Sequence, residues 1–420
     1  MIQTLQLSPG VTLRCFQDNR FKQGCLSIQL LRPVIREDMA VNALIPAILL
    51  RGTQKHPDLR QITLHLDTLY GASTGALVRK VGDLQTIGIY GSFLDDRYAL
   101  EGGNILESMI EFMGQLLLEP LLVEGSFCPD FVESEKRNLI LAIQSNRNDK
   151  RQYAASQLMK HMCSRDSLGI PRLGEESQVA AITAQSAYDH YLHILRTSPV
   201  MLFYVGSQEP EQVAKLLEPL VSRLAPEPMP LPVQAPFQDP AGGEHTEYME
   251  VTQGKLCVGF TTPVTMPHPD FAAMQVLNAL FGGGMTSKLF MNVREKLSLC
   301  YDIGSGYRGT KGIMTVSAGI DFDQKDAVLT QIRQQLESCC KGDFTPEELE
   351  SARQGLLTQL QSTHDSPGAI ENYYATGLLS NLNRTPDQYM AQIRAVTAQQ
   401  VAEVAKTLQE HTIYFLRGQR

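Results

Sequence analysis

Tryptophan is absent from the 420 residues, aromatic residues make up only 7%, and no block of like charge interrupts the chain. A nucleic-acid-binding surface needs clustered Lys and Arg, often interleaved with aromatic side chains. With 45 acidic against 37 basic residues and a net charge of -8, that class of partner is excluded. Long apolar runs are missing too. Met39–Leu50 comes nearest, but it contains Asn42 and Pro46 and is far too short for the ~20 residues that cross a bilayer. The opening MIQTLQLSPG has neither the basic nor the apolar region of a secretory signal, so no signal peptide is expected. Eight cysteines stand at 15, 25, 128, 163, 257, 300, 339 and 340, with no CxxC pair. In a chain this large they read as buried thiols of a reducing compartment, and a cytoplasmic protein without membrane or nucleic-acid partners is expected.

What is present is an ordinary globular composition, 43% hydrophobic and 20% charged. At about 150 residues per domain, the length implies two to four domains. Val11–Phe16 and Cys25–Leu31 read as strands, the second alternating Cys25, Ser27, Gln29 against Leu26, Ile28, Leu30. Met39–Leu50 and Leu59–Leu69 read as helices, Gly75–Val81 and Leu84–Phe93 as a hairpin, and Asn104–Leu118, Pro129–Gln144, Tyr153–His161 and Ile182–Leu195 as helices before the strand Met201–Gly206. Six prolines then punctuate APEPMPLPVQAPFQDPAGG, from Pro226 to Pro240, which forbids helix or central strand and marks a linker. Beyond it the order repeats: strand Leu256–Thr261, helices Phe271–Phe281 and Met285–Leu297, strands Tyr301–Gly306 and Met314–Phe322, helices Lys325–Cys340 and Pro346–Gln361. Even words repeat, Ile182-Thr183-Ala184-Gln185 before FYVG and Val396-Thr397-Ala398-Gln399 before the closing strand. The expected organisation is therefore a duplicated α+β chain: domain 1–225, linker 226–243 and domain 244–420, each domain a mainly antiparallel sheet covered by helices.

The most informative stretch is FGGGMTSKLFMNVREKLSLCY, Phe281–Tyr301. Gly282, Gly283 and Gly284 permit a sharp turn, and Leu289, Phe290, Val293 and Leu297 mark an apolar helix face. Arg294 beside that face and Tyr301 after it would supply guanidinium and phenol donors suited to a carbonyl or carboxylate. Taken alone, such a pair is more commonly a surface arginine and a half-buried tyrosine.

With LLRGT at Leu49–Thr53, LGEES at Leu173–Ser177 and MLFYVG, this stretch resembles the pitrilysin/insulinase family of inverzincin metallopeptidases, in particular the two-domain branch that includes mitochondrial processing peptidase. The resemblance covers essentially the whole chain. It implies that Arg294 and Tyr301, behind Gly282–Gly284, hold a substrate backbone. The family's chemistry needs an HxxEH helix, with two His on Zn²⁺, the Glu as general base and a distant Glu completing the site. Counted back from Gly52-Thr53, the two His places fall on Ala43 and Ala47, the base on Pro46, and the distal ligand on Ala142, seven residues after Glu135. None of these side chains binds zinc or moves a proton, and a proline inside the helix should kink it. No metal or other cofactor is expected in this chain; zinc is expected in a partner.

Other constellations carry less. His190 and His193 are spaced for a metal pair but have no third ligand, and His56 and His65 do not rebuild the motif. The triple glycine fails GxxxxGK[ST] because Lys288 follows Ser287. Cys300 has no supporting His, and Glu133 and Glu135 read as a solvated helix face. Besides an enzyme with metal ligands relocated around His190 and His193, two functions remain open. One is the non-catalytic, substrate-binding subunit of a heterodimeric metallopeptidase, partnered by an HxxEH-bearing homologue. The other is a stand-alone homodimer that captures peptides by edge-strand pairing without proteolysis.

Overall fold

In the first half of the chain the elements run β1 (Ile2–Ser8), β2 (Val11–Gln17), β3 (Gln23–Pro33), α1 (Met39–Leu49), α2 (Leu59–Thr68), β4 (Ser73–Val81), β5 (Leu84–Leu94), α3 (Ile105–Leu118), the two-residue strands β6 (Leu122–Val123) and β7 (Ser126–Phe127), α4 (Pro129–Asn148), α5 (Lys150–Met162), α6 (Glu176–Ala181), α7 (Ala184–Thr197), β8 (Val200–Gly206) and α8 (Pro210–Val221). The second half continues with β9 (Gly243–Tyr248), β10 (Gly254–Thr261), α9 (Phe271–Gly282), a π-helix (Leu289–Lys296), β11 (Asp302–Arg308), β12 (Ile313–Ile320), α10 (Lys325–Lys341), α11 (Pro346–Gln361), α12 (Pro367–Leu379), α13 (Pro386–Ala395), α14 (Ala398–Ala405) and β13 (Gln409–Arg417). The computed structural model describes residues 2–100, 102–224, 226–239 and 242–419. Pro240 of the expected linker, and the domain limits expected at 1, 225 and 420, lie outside the described residues.

One sheet is ordered β1-β2-β8-β3-β5-β4 and the other, in the same sense, β9-β13-β10-β12-β11. Every neighbouring pair is antiparallel except β2/β8 and β13/β9, which occupy the same place in the two sheets. A shared order with its one parallel pair in a shared place bears out the expected α+β class of duplicated, mainly antiparallel sheets with helices. The repeated words have a local role. Thr183 and Thr397 are N-caps of α7 and α14, each accepting a backbone N–H from the third helical residue in a capping box.

Two compact units divide the chain. The first takes the chain up to Gln144, Pro171–Val233 and His364–Thr376; the second takes Ser145–Ile170, Gln234–Thr363 and the chain from Gly377. Helix α5 thus belongs to the second unit and most of α12 to the first. The central strands show what these helices do. Leu26, Ile28 and Leu30 of β3 join a core with Leu44, Ile48, Met109 and Met113, while Ser27 and Gln29 on the opposite face are fully buried as well. Those polar side chains meet Glu371 of α12, which accepts from Ser27 Oγ and Gln29 Nε2, each at 2.8 Å, and from both ends of the Arg79 guanidinium at 2.9 and 2.6 Å. In the second unit the matching face of β10 is closed by α5: Cys257 packs with Ala154 and Leu158, and a Cβ on Gly259 would sit 2.4 Å from Met162 Sδ.

Several expectations are revised. β2 and β3 are not neighbours, because β8 lies between them. The second helix expected at 285–297 is a π-helix over Leu289–Lys296, with the Leu297 N–H bonded to Asn292 O at 3.2 Å. Strands β1 and β9 and helices α6, α8, α12 and α13 were not anticipated. Over 226–239 the proline-rich stretch has neither helix nor strand, as its missing N–H groups require, while Gly243, the last residue of the expected linker, already belongs to β9.

Removing a buried carboxylate strands its partners, so Glu371→Ala should destabilise the chain by about 3–5 kcal/mol and Glu371→Gln by less. Urea unfolding measures this; a loss below about 1 kcal/mol for the alanine variant would show that the buried cluster does not hold α12 on its sheet.

Candidate functional site

Helix α1 carries three of the four positions at which the resembled family binds zinc and moves protons. Ala43 is 6% exposed, Pro46 is buried within the helix and Ala47 is half-buried. The helix runs on through Pro46 to Leu49, although proline offers no N–H to the carbonyl of Asn42. Asn42 itself is fully buried, donating Nδ2 to Gln85 Oε1 and accepting from His190 Nε2 on Oδ1, both at 2.8 Å. A polar network thus stands next to the positions a metal site would use. It also occupies His190, whose ring lies 6.2 Å from that of His193. Burial holds the His190 imidazole below its usual pKa, opposed by Asp38 and reinforced by Arg32 and His193.

Ala142, at the distal position, lies on the exposed side of α4. Glu135 on the same helix corrects the expectation of a solvated face: it is 9% exposed, 3.3 Å from the Arg51 guanidinium and bonded to Asn138 Nδ2 at 3.1 Å. Glu133 remains exposed and pairs with Lys136 at 2.8 Å. His56 and His65 form a tilted pair with ring centroids 4.6 Å apart, and both rings pack on Phe112. Among the described residues no group of three or more His, Cys, Asp or Glu is arranged to hold a metal ion. Alanine and proline side chains do not fit zinc, and no step through a metal is derived for this chain.

The Phe281–Tyr301 stretch borders a groove of about 460 Å³ in the second unit. Gly282, Gly283 and Gly284 line it, with Met285, Phe290, Arg151 and residues of β11 and β12. The glycines work differently from expectation. None has a positive φ; instead a Cβ on Gly282 would sit 2.7 Å from the Ser305 backbone N, and one on Gly283 would sit 2.7 Å from Ala279 Cα. Close approach of α9 to β11 excludes a larger residue at Gly282, and the backbone of the preceding turn of α9 excludes one at Gly283; neither needs an unusual turn. The floor is correspondingly bare, since Gly304 pairs with Ser317 and Gly306 with Thr315 across the strands.

Neither Arg294 nor Tyr301 lines this groove, and only Arg294 is in contact with a residue that does. The Arg294 guanidinium lies 4.6 Å from the ring centroid of Phe290, which does line it, and its Nε is 3.7 Å from Glu295. Tyr301 is 58% exposed and donates its hydroxyl to Asp321 at 3.0 Å, a bond that raises the phenol pKa. Between the two residues the chain leaves the π-helix after Lys296, and Ser298 takes φ +53°. No hydrogen bond or ion pair joins Arg294 to Tyr301 among the described residues. Cys300, between them in sequence, is buried, and its thiol is pushed up to about 11 by that burial, which makes it inert as a nucleophile. Arg151 escaped sequence reasoning, because nothing local in α5 tells that it packs on the sheet of the second unit.

Fold and site together define a duplicated peptidase-like chain with an open groove in one unit and no metal ligands in the other. Residues 181–356 match the family described as peptidase M16 inactive domain. The chain is 28% identical, over 97% of its length and 96% of the relative's, to a Bacillus subtilis protein named probable inactive metalloprotease YmfF. A conserved protein from Enterococcus faecalis superposes with a TM-score of 0.92 at 28% identity, covering 100% of this chain and 99% of that one. A peptidase M16 inactive domain from Pseudomonas fluorescens, 18% identical, shares the fold with a TM-score of 0.82 over 100% and 98% of the two chains. The chain is a homologue of the M16 peptidases, the pitrilysin/insulinase type its motifs resemble, and it lacks their HxxEH helix. No helix among the described residues is long and apolar enough to cross a membrane.

Two outcomes are expected from this geometry. Elemental analysis of the purified protein should find far less than one zinc per chain; stoichiometric zinc would contradict the reading of Ala43, Ala47 and Ala142. Because His190 has a depressed folded pKa, the unfolded chain takes up its proton first as pH falls below about 6.5, and stability is lost from there downward. His56 and His65, also held low by burial, act in the same direction. Thermal midpoints should therefore drop between about pH 7 and pH 5.5, less steeply in His190→Gln, and an unchanged slope in that variant would remove His190 from the account.

Proposed function

We propose that this protein is the non-catalytic, peptide-binding subunit of a heterodimeric metallopeptidase whose zinc resides in an HxxEH-bearing homologue. One asymmetry carries the reading. At the zinc positions of the first unit stand Ala43, Pro46, Ala47 and Ala142, whereas Gly282–Gly284, Arg294 and Tyr301 of the second unit remain, the glycines lining an open groove and Arg294 at its edge. Drift after complete loss of function erodes both. Strand β11 is the last strand of its sheet, so its outer backbone groups are available to an extended peptide, with Arg294 and Tyr301 as donors for the peptide's carbonyls or carboxylates. The protein does not cleave peptides unaided; holding the substrate in a fixed pose is its contribution to the rate. The name of the Bacillus subtilis relative, a probable inactive metalloprotease, supports the same reading. All eight cysteines are free thiols, as the cytoplasm would keep them.

Co-expression with an HxxEH-bearing M16 homologue from the same cell tests the proposal. A stable complex should form, and Arg294→Ala with Tyr301→Phe in this chain should slow its peptide cleavage by about tenfold or more while the complex still assembles. No complex, or an unaltered rate, would overturn it. A homodimer that binds peptide alone, without any peptidase partner, would favour the scaffold reading instead.

A further inference from the structure

A second cavity, of about 530 Å³, lies beside the π-helix in the second unit and has no part in the groove just described. Lys288, Asn292 and Lys296, four residues apart, form one wall, and Gln335 of α10, Asp343 and Glu348 face them. Lys288 is the informative residue. It is 7% exposed, and its ammonium has one charged neighbour, Glu348 Oε2 at 3.7 Å, which is too long for a hydrogen bond. That same oxygen already accepts the Thr345 backbone N–H at 2.8 Å in the cap of α11. Among the described residues no acceptor reaches Lys288 Nζ within hydrogen-bonding distance. An ammonium carries three donors, and those of Lys288 open into the cavity, where a ligand can take them from water.

The cavity therefore offers donors to an acidic group at one place and, through Asp343 and Glu348, carboxylates to a cationic group at another. Those carboxylates disfavour a multiply charged anion such as phosphate. Between the charges, Asn292 Nδ2 donates to Gln335 Oε1 at 2.8 Å, which leaves Asn292 Oδ1 and Gln335 Nε2 for a ligand's amide group. Asn292 O also accepts the i to i+5 bond of the π-turn, a local geometry found disproportionately at functional sites. We propose that this cavity binds a small zwitterion, a free amino acid or dipeptide, with its carboxylate on Lys288 and its ammonium toward Asp343 and Glu348. The proposal stands independently of the peptide groove and of any partner subunit.

Titration calorimetry of the full chain with glycylglycine tests it, using N-acetyl-glycylglycine, glycylglycine methyl ester and inorganic phosphate as controls. Saturable one-to-one binding of glycylglycine is expected, weakened at least about tenfold by acetylation, by esterification and by Lys288→Met. Asp343→Asn, a change at an exposed position, should weaken it as well and serves if Lys288→Met does not fold, as judged by circular dichroism. Absence of saturation up to about 10 mM, unaltered affinity in folded Lys288→Met or in Asp343→Asn, or equal binding of phosphate or of the blocked dipeptides would overturn the assignment.

Discussion

A carboxylate buried on the polar face of β3 determines how the first unit is closed. Ser27, Gln29 and Arg79 would each be left with unmet polar groups if Glu371 were withdrawn, so the face is tolerable only with α12 in place. Ser27 and Glu371 are 344 residues apart in sequence. Loop-closure entropy grows slowly, about 0.6 kcal/mol per doubling of length, so a single bidentate pair with two further hydrogen bonds offsets the added distance. The second unit solves the same problem with small residues, Cys257 and Gly259 under α5. In both units the cover for the central strand comes from the other half of the chain, and neither half on its own contains a complete sheet with both faces shielded.

The contrast between α1 and the 281–301 stretch follows from what each surface now has to satisfy. A buried helix face without a metal must be apolar or fully hydrogen-bonded, and α1 achieves this with Ala43, Pro46 and the Asn42–Gln85–His190 network. Around Arg294 the requirement is absent: Met285, Met291, Leu297 and Tyr301 are between 45% and 75% exposed. Large apolar side chains gathered at an exposed rim are costly to solubility and usually mark a surface that meets another molecule. Packing alone therefore accounts for the first region and leaves the second unexplained without a ligand.

Much of this was legible in one dimension because it is locally encoded. Thr183 and Thr397 announce helix starts, and the 73–94 hairpin alternates. Helix α8 had a readable start, Pro210 followed by Val213, Leu217 and Leu220 on one face, and was missed beside the proline-rich run. Strand β9, GEHTEY, has no apolar alternation to betray it, since it is an edge strand with mostly exposed side chains. A π-helix cannot be told from an α-helix by the spacing of Leu289, Phe290 and Val293. The burial of Glu135 depends on Arg51, and the membership of α5 and α12 depends on strands hundreds of residues away; no local window holds either.

The three glycines show how a correct location can rest on an incomplete reason. Gly282 is required because β11 and the last turn of α9 come within contact distance, Gly283 because the α9 backbone at Asn278 and Ala279 crowds its Cβ position, while Gly284 has open space around it and no positive φ. That proximity brings the end of α9 against a strand whose own residues are Gly304, Ser305 and Gly306, and this part of the groove's floor is left without bulky side chains. Specific recognition by such a floor must come from backbone hydrogen bonds and from the rim, where Arg151 lies on one element and Arg294 is stacked on Phe290 of another. On the proposed reading, two guanidiniums beside a bare edge strand suit an extended chain that brings its own side chains and at least one acidic group. The features of the Phe281–Tyr301 stretch are thereby divided: the glycines shape the space, Arg294 stands at its edge on Phe290, and Tyr301 is held by Asp321.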